Sequence, residues 1–100
     1  MNTQFKKGAL EMTVLAQLEK EDKYGYQQTE AISQELDIAN GTLYLILKRL
    51  NDDQYLDTYL QQSSEGPARK YYRLTEKGRQ HLSEMKEEWL SFVRKIDKLI

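Results

Sequence analysis

The stretch "ANGTLYLILKRLNDD", residues Ala39 to Asp53, decides how this chain is read. At helical spacing Leu43, Ile46, Leu47 and Leu50 fall at i, i+3, i+4 and i+7, the stripe of a core-facing helix. Leu45 then stands near the middle of the opposite face, between Gly41, Lys48 and Asp52. A bare leucine there, beside Lys48 and Arg49, is either a tolerated accident or a residue covered by something outside the chain.

The flanking sequence gives that helix a setting. Before it, Tyr26 to Leu36 reads as a short, mostly polar helix with Ala31, Ile32 and Leu36 inside, joined through the tight connection "DIAN". Two short helices joined by about three or four residues follow the helix-turn-helix plan. Further upstream a helix is predicted over about residues 4 to 20, and "EDKYGY" ends it with Gly25 as the stop. Phe5, Ala9, Met12 and Ala16 form one stripe on it, and Leu10, Val14 and Leu18 form a second about 100° away. A surface that wide exceeds what one small core needs, and points to burial against a second chain.

After the helix, "YLDTYLQ" alternates Leu56, Thr58 and Leu60 against Tyr55, Asp57, Tyr59 and Gln61, as a half-buried strand does. "QSSEGPA" is a turn, and "RKYYRL" returns with Tyr72 and Leu74 on one face and Arg69, Tyr71 and Arg73 on the other. A hairpin directly behind a helix-turn-helix outlines a wing. Thr75 is a good N-cap for a last helix to Ile100. Within that helix Leu82, Met85, Trp89, Phe92, Ile96 and Leu99 step by three and four, an a/d heptad too short to stand alone as a coiled coil. It is expected to be a dimerisation helix docking on the broad apolar face of the first. The fold class is therefore α+β and mostly α. Residues 1–75 form a winged helix-turn-helix with an N-terminal helix, and residues 76–100 form the dimerisation helix, in one compact unit.

Composition fits a small cytoplasmic protein. One hundred residues with 39% apolar content support one modest core, and cysteine is absent, which excludes disulfides and thiolate sites. The longest apolar run, "LYLIL", is far short of the roughly 18 residues a membrane span needs, and the N-terminal stretch lacks a signal peptide's apolar region. The net charge of −1 hides an asymmetry. Residues 22–39 carry Lys23 against Asp22, Glu30, Glu35 and Asp37, whereas residues 40–81 carry seven basic and five acidic groups. The local field matters more than the total for groove binding, so a double-stranded DNA partner is permitted.

Several segments, "KYGYQQTEAIS", "NGTLYLILKRL", "ARKYYRLTEKGRQHL" and "KEEWLSFVRKIDKLI", resemble the PadR family of transcriptional regulators, in its small branch with a single C-terminal helix. The similarity runs from Phe5 to the end, and GTLY at 41–44 with RKYYRLTEKG at 69–78 carries most of its specificity. The resemblance implies a winged helix, a homodimer built through the first and last helices, and repression by binding an inverted-repeat operator. Two positions depart from the family pattern. Ala39 stands where a capping serine is common, leaving Asn40 as the candidate cap, and Leu45 stands where proline usually follows the GTLY tyrosine.

On this reading the helix from Asn40 lies in the major groove. Gly41 lets its backbone approach closely, Thr42 and Tyr44 offer hydroxyls, Leu45 offers apolar contact to a thymine methyl, and Lys48 and Arg49 bind the sugar-phosphate backbone. Arg69 and Lys70 serve the wing. The dimer is assigned to Leu10, Val14, Leu82, Met85, Trp89, Phe92, Ile96 and Leu99. The resemblance also implies an apolar space between subunits where a flat hydrophobic effector stacks on Trp89, with Phe5, Phe92 and Val93 lining it. Catalysis has no support: His81 is the only histidine, and no nucleophile with its base, phosphate loop or metal-ligand spacing occurs, so neither cofactor nor metal is expected. The competing reading is a winged-helix protein-interaction module without DNA binding, favoured by the acidic total and by Leu45.

Overall fold

The computed structural model describes the backbone of residues 3–100 and the side chains from residue 7 onward. In chain order the elements are α1 (Thr3–Lys20), β1 (Lys23–Tyr24), α2 (Gly25–Leu36), α3 (Asn40–Asp52), β2 (Leu56–Ser63), β3 (Gly66–Leu74) and α4 (Glu76–Leu99). The strands make one antiparallel sheet in the order β1-β3-β2. This is a mostly helical winged helix-turn-helix, as the sequence pattern implies.

α3 is seated by its own period. Leu43, Ile46, Leu47 and Leu50 are all buried and meet Leu10, Val14, Leu15 and Leu18 of α1. At about 1.5–3 kcal/mol for each fully buried aliphatic side chain, this stripe fixes the rotation of α3 about its axis and hence which residues face outward. The pairing also settles which stripe of α1 belongs to the core. Leu10 and Val14, assigned above to a dimer interface, are 6% and 0% exposed within a single chain. Leu82 is likewise fully buried where the start of α4 crosses the core. These three are core residues with no surface left for a second copy. The half-buried face of α1, with Ala9, Met12 and Ala16, is the one turned toward α4 and solvent.

Three local expectations give way. Gly25 opens α2 rather than ending α1, and the two-residue strand β1 fills the break before it. A Cβ at Gly25 would stand 3.1 Å from Tyr44 Cε1 and 3.5 Å from Tyr72 Cε1, so glycine lets two tyrosine rings close over this backbone. The inner face of α2 is Gln28, Thr29 and Ile32, whereas Ala31 and Leu36 are exposed. Gln28 donates through Nε2 to Val14 O (3.1 Å), a buried tie between α2 and α1 that hydropathy does not signal. Asn40 is not a cap: Ala39 takes the N-cap place of α3 in extended backbone, and no side chain caps that end.

α4 begins as expected, with Thr75 Oγ1 accepting from Gly78 N at 3.0 Å. Gly78 is required there, because a Cβ would lie 2.1 Å from Tyr55 O. After its first turns α4 leaves the body of the molecule, and Phe92, Ile96 and Leu99 are 49%, 38% and 82% exposed.

Candidate nucleic-acid interface

With its stripe in the core, α3 turns Gly41, Thr42, Leu45 and Lys48 outward, all exposed. Lys48 Nζ reaches Asp52 Oδ2 one turn on at 3.0 Å. Both side chains are well solvated, and an exposed i,i+4 pair is worth about 0.3–0.5 kcal/mol, so the ammonium is easily given up to a phosphate. Arg49 is different. Its guanidinium is turned inward and paired with Glu11 of α1, which ties α3 to the first helix. The adjacent cations of the sequence therefore have different tasks: Lys48 faces solvent and Arg49 holds the helix in place.

The hairpin β2–β3 follows α3 and forms the wing. Leu56 pairs with Leu74, Thr58 with Tyr72, and Leu60 with Lys70, so these six residues share the sheet face that packs on the core at its base. Beyond the core that face is bare, and Leu60 is 72% exposed: the alternation is real, but the strand outruns what it covers. Lys70 Nζ lies 5.6 Å from the centroid of Tyr72, and the rings of Tyr72 and Tyr44 of α3 both come close to Gly25. Arg69 is on the opposite sheet face, its guanidinium 4.6 Å from the ring centroid of Tyr24.

That outer face is an aromatic ladder. Tyr24 and Tyr59 each stand 5.6 Å from Tyr71, one edge-on and the other stacked, and Arg73 covers Tyr59 at 5.2 Å while pairing with Asp57 at 3.1 Å. Tyr59 donates its hydroxyl to Asp22 at 2.7 Å, and this bond, with partial burial, raises its pKa above the ordinary value of 10. The ladder binds all three strands and holds the base of the wing in a fixed direction.

A second feature lies between α1 and α4. Gly8, Ala9, Met12, Met85, Trp89 and Phe92 line an open, mostly apolar cleft of about 470 Å³, with Glu88 at its margin. Trp89 also borders a smaller cleft of about 340 Å³ toward Ala16 and Leu90. Among the described residues, no cluster of histidine, cysteine or carboxylate side chains has the makings of a metal site, and no helix is long and apolar enough to cross a membrane.

Over residues 14–84 the sequence matches the transcriptional regulator PadR-like family. The chain belongs to that family. Its members are transcriptional regulators rather than enzymes, so the function is DNA-binding regulation. A Streptococcus transcriptional regulator is similar at TM-score 0.90 and 29% identity, over 98% of both chains. A PadR-like regulator from Bacillus cereus follows at 0.86 and 31%, over 97% of this chain and 96% of that one. A PadR family regulator from Clostridium difficile gives 0.77 and 34%, over 90% and 95%.

Thr42, Tyr44, Leu45 and Lys48 are exposed on α3 and Lys70 is exposed on β3, whereas Arg49 is paired with Glu11 and Arg69 lies over the Tyr24 ring on the opposite sheet face from Lys70. Of the residues assigned to an effector space, Trp89 and Phe92 line the α1–α4 cleft, Val93 is half-buried on α4 outside that lining, and the Phe5 side chain lies outside the described residues. Sequence reading missed Gly8, Glu88 and Leu60 as surface-forming residues. Gly8 carried a signal, since a glycine within a helix calls for a reason.

Proposed function

We propose that the protein is a homodimeric repressor that places α3 of each copy in the major groove of an inverted-repeat operator, with the wings on flanking phosphates. The observation that carries this reading is the outward face of α3, on which Thr42, Leu45 and Lys48 are presented by a rotation that the core fixes, with Lys70 exposed on the wing. The amino end of α3, without a side-chain cap, adds N–H groups suited to a phosphate. A second copy is the natural cover for Phe92, Ile96 and Leu99 on α4, because this heptad face leaves the parent core and stays exposed among the described residues. The cleft beside Trp89 accepts a flat apolar ligand, and Glu88 favours one carrying a positive charge. Occupancy there shifts α1 against α4 and so changes the spacing of the two recognition helices.

The test is fluorescence anisotropy with a labelled duplex from the region upstream of the gene, over a series of salt concentrations. Each phosphate neutralised contributes about −0.9 to the slope of log K against log salt. Lys70→Ala, acting in both copies of a dimer, is expected to flatten that slope by about 2, with the dimer intact. A slope near zero for the unaltered protein would reject the reading.

Exposed Leu45 and Leu60, together with the pairing of Lys48 and Arg49 to carboxylates, favour the protein-interaction module as the second reading. It requires that Lys48→Ala with Lys70→Ala leave the regulatory activity in cells untouched, whereas the repressor loses its operator.

A further inference from the structure

We infer that Leu45 reads the C5 methyl group of a pyrimidine in the major groove, so that each operator half-site carries thymine at that place and methylated cytosine can substitute for it. The inference rests on the reading that α3 binds DNA, and deepens it.

Leu45 is 70% exposed near the centre of the outward face of α3, while the other four aliphatic residues of the same helix are buried. Its surroundings explain what it can meet. One turn before it, Gly41 has a helical backbone, no positive φ, and open space where a Cβ would stand. Neither packing nor conformation within this chain calls for glycine there, and glycine is a poor helix former. A surface that must approach the backbone of α3 closely does call for it. One turn after Leu45, Lys48 is only loosely paired with Asp52 and is given up to a phosphate, and on the flank Arg49 is turned to Glu11. Tyr44 is drawn aside over Gly25. The side chains that usually read guanine or adenine in a bidentate way are therefore missing from the middle of the face. The hydrogen-bonding groups of Asn40 and Thr42 stand only at its amino end. Among the base edges in the major groove, the apolar feature is the C5 methyl of thymine. 5-Methylcytosine presents the same methyl from the same ring position on a G·C pair.

The experiment isolates that one carbon. Each thymine in the bound upstream duplex is replaced singly by deoxyuridine, which removes the methyl and leaves the pairing edge unchanged. At the most sensitive position four bases are then compared, thymine and uracil opposite adenine, and cytosine and 5-methylcytosine opposite guanine. Wild type is set against Leu45→Ala and Leu45→Gln. Burial of one methyl group supports a change of roughly fourfold in Kd per half-site. Wild type is expected to gain about that factor from the methyl in both base contexts, and both variants to lose the gain. Both variants should unfold at the wild-type temperature to within a few degrees, because the side chain is exposed. A flat deoxyuridine scan on a duplex that wild type binds specifically overturns the Leu45 inference and leaves DNA binding standing. A methyl effect that survives in both variants also overturns it, since another residue then makes the contact. Failure of wild type to prefer its upstream duplex over a scrambled one overturns the inference together with the reading beneath it.

Discussion

Replacing Gly41 with alanine should move stability and DNA affinity in opposite directions. Gly41 is the second residue of α3, its backbone is helical, and an added Cβ meets nothing within 4 Å. Within the free protein the substitution brings only a lower entropy cost of ordering the helix, about 0.5–1 kcal/mol. For a domain of this size that is a rise in Tm of about 2–8 °C, measured at one fixed protein concentration because association contributes as well. In the proposed complex with DNA the same methyl group stands on the face that enters the groove. Crowding one methyl into a packed contact costs about 1–3 kcal/mol in protein cores. The corresponding loss of affinity is roughly 5- to 150-fold. Thermal unfolding followed by circular dichroism, and anisotropy on the upstream duplex, give the two numbers. A lower Tm would show that the fold itself needs glycine at this position. A raised Tm with Kd unchanged within twofold would show that nothing approaches α3 there, and the reasoning from Gly41 would fail.

Other expectations follow from single contacts. Gly78→Ala would force a methyl onto the Tyr55 carbonyl, at 2.1 Å before relaxation, and should destabilise by about 1–3 kcal/mol or more, read as a lower urea midpoint. Phe92→Glu, at a half-exposed position on α4, should leave helix content intact while sedimentation shifts from dimer to monomer and operator binding disappears. Arg49→Met removes the tie between α3 and α1 and leaves Glu11 unpaired, so it should lower stability while leaving the salt slope of binding unchanged, in contrast to Lys70→Ala. For Tyr59 the folded-state pKa lies above 10, chiefly because its hydroxyl donates to Asp22. Its contribution to stability is complete below pH 10 and is lost as pH rises through the raised value. The urea midpoints of wild type and Tyr59→Phe should therefore differ at about pH 8 and converge once the pH has risen through the raised value.

How much of this was legible beforehand depends on the scale at which each residue is fixed. The stripe Leu43, Ile46, Leu47 and Leu50 could be read because a period of 3.6 is a local property, and it delivered the rotation of α3 and the exposure of Leu45. The hairpin and the Thr75 cap were legible for the same reason. Period alone could not say which of two apolar stripes on α1 faces its own core. Leu10 and Val14 went inside because Leu43 and Leu47 come to meet them, an arrangement set by tertiary packing. Leu60 shows the same limit in a strand, since alternation marks a face but not the point where the body beneath it ends. β1 is only two residues long and cannot show any period; its existence depends on Lys23 and Tyr24 finding Tyr72 and Tyr71 nearly fifty positions away. Lys48 and Arg49 were indistinguishable as neighbouring cations, and only Glu11, 38 positions upstream, separates their tasks. The buried Gln28 was hidden because its worth lies in one hydrogen bond to a backbone carbonyl.

The most direct test of the account is a titration of the purified protein against two labelled duplexes, one from its own upstream region and one with the same bases scrambled, at near-physiological salt. The account expects binding to the upstream duplex at least about a thousandfold tighter than to the scrambled one. It also expects saturation at two chains per duplex, with the preference reduced in Leu45→Ala. Equal affinity for both duplexes, or saturation by a single chain, would contradict it.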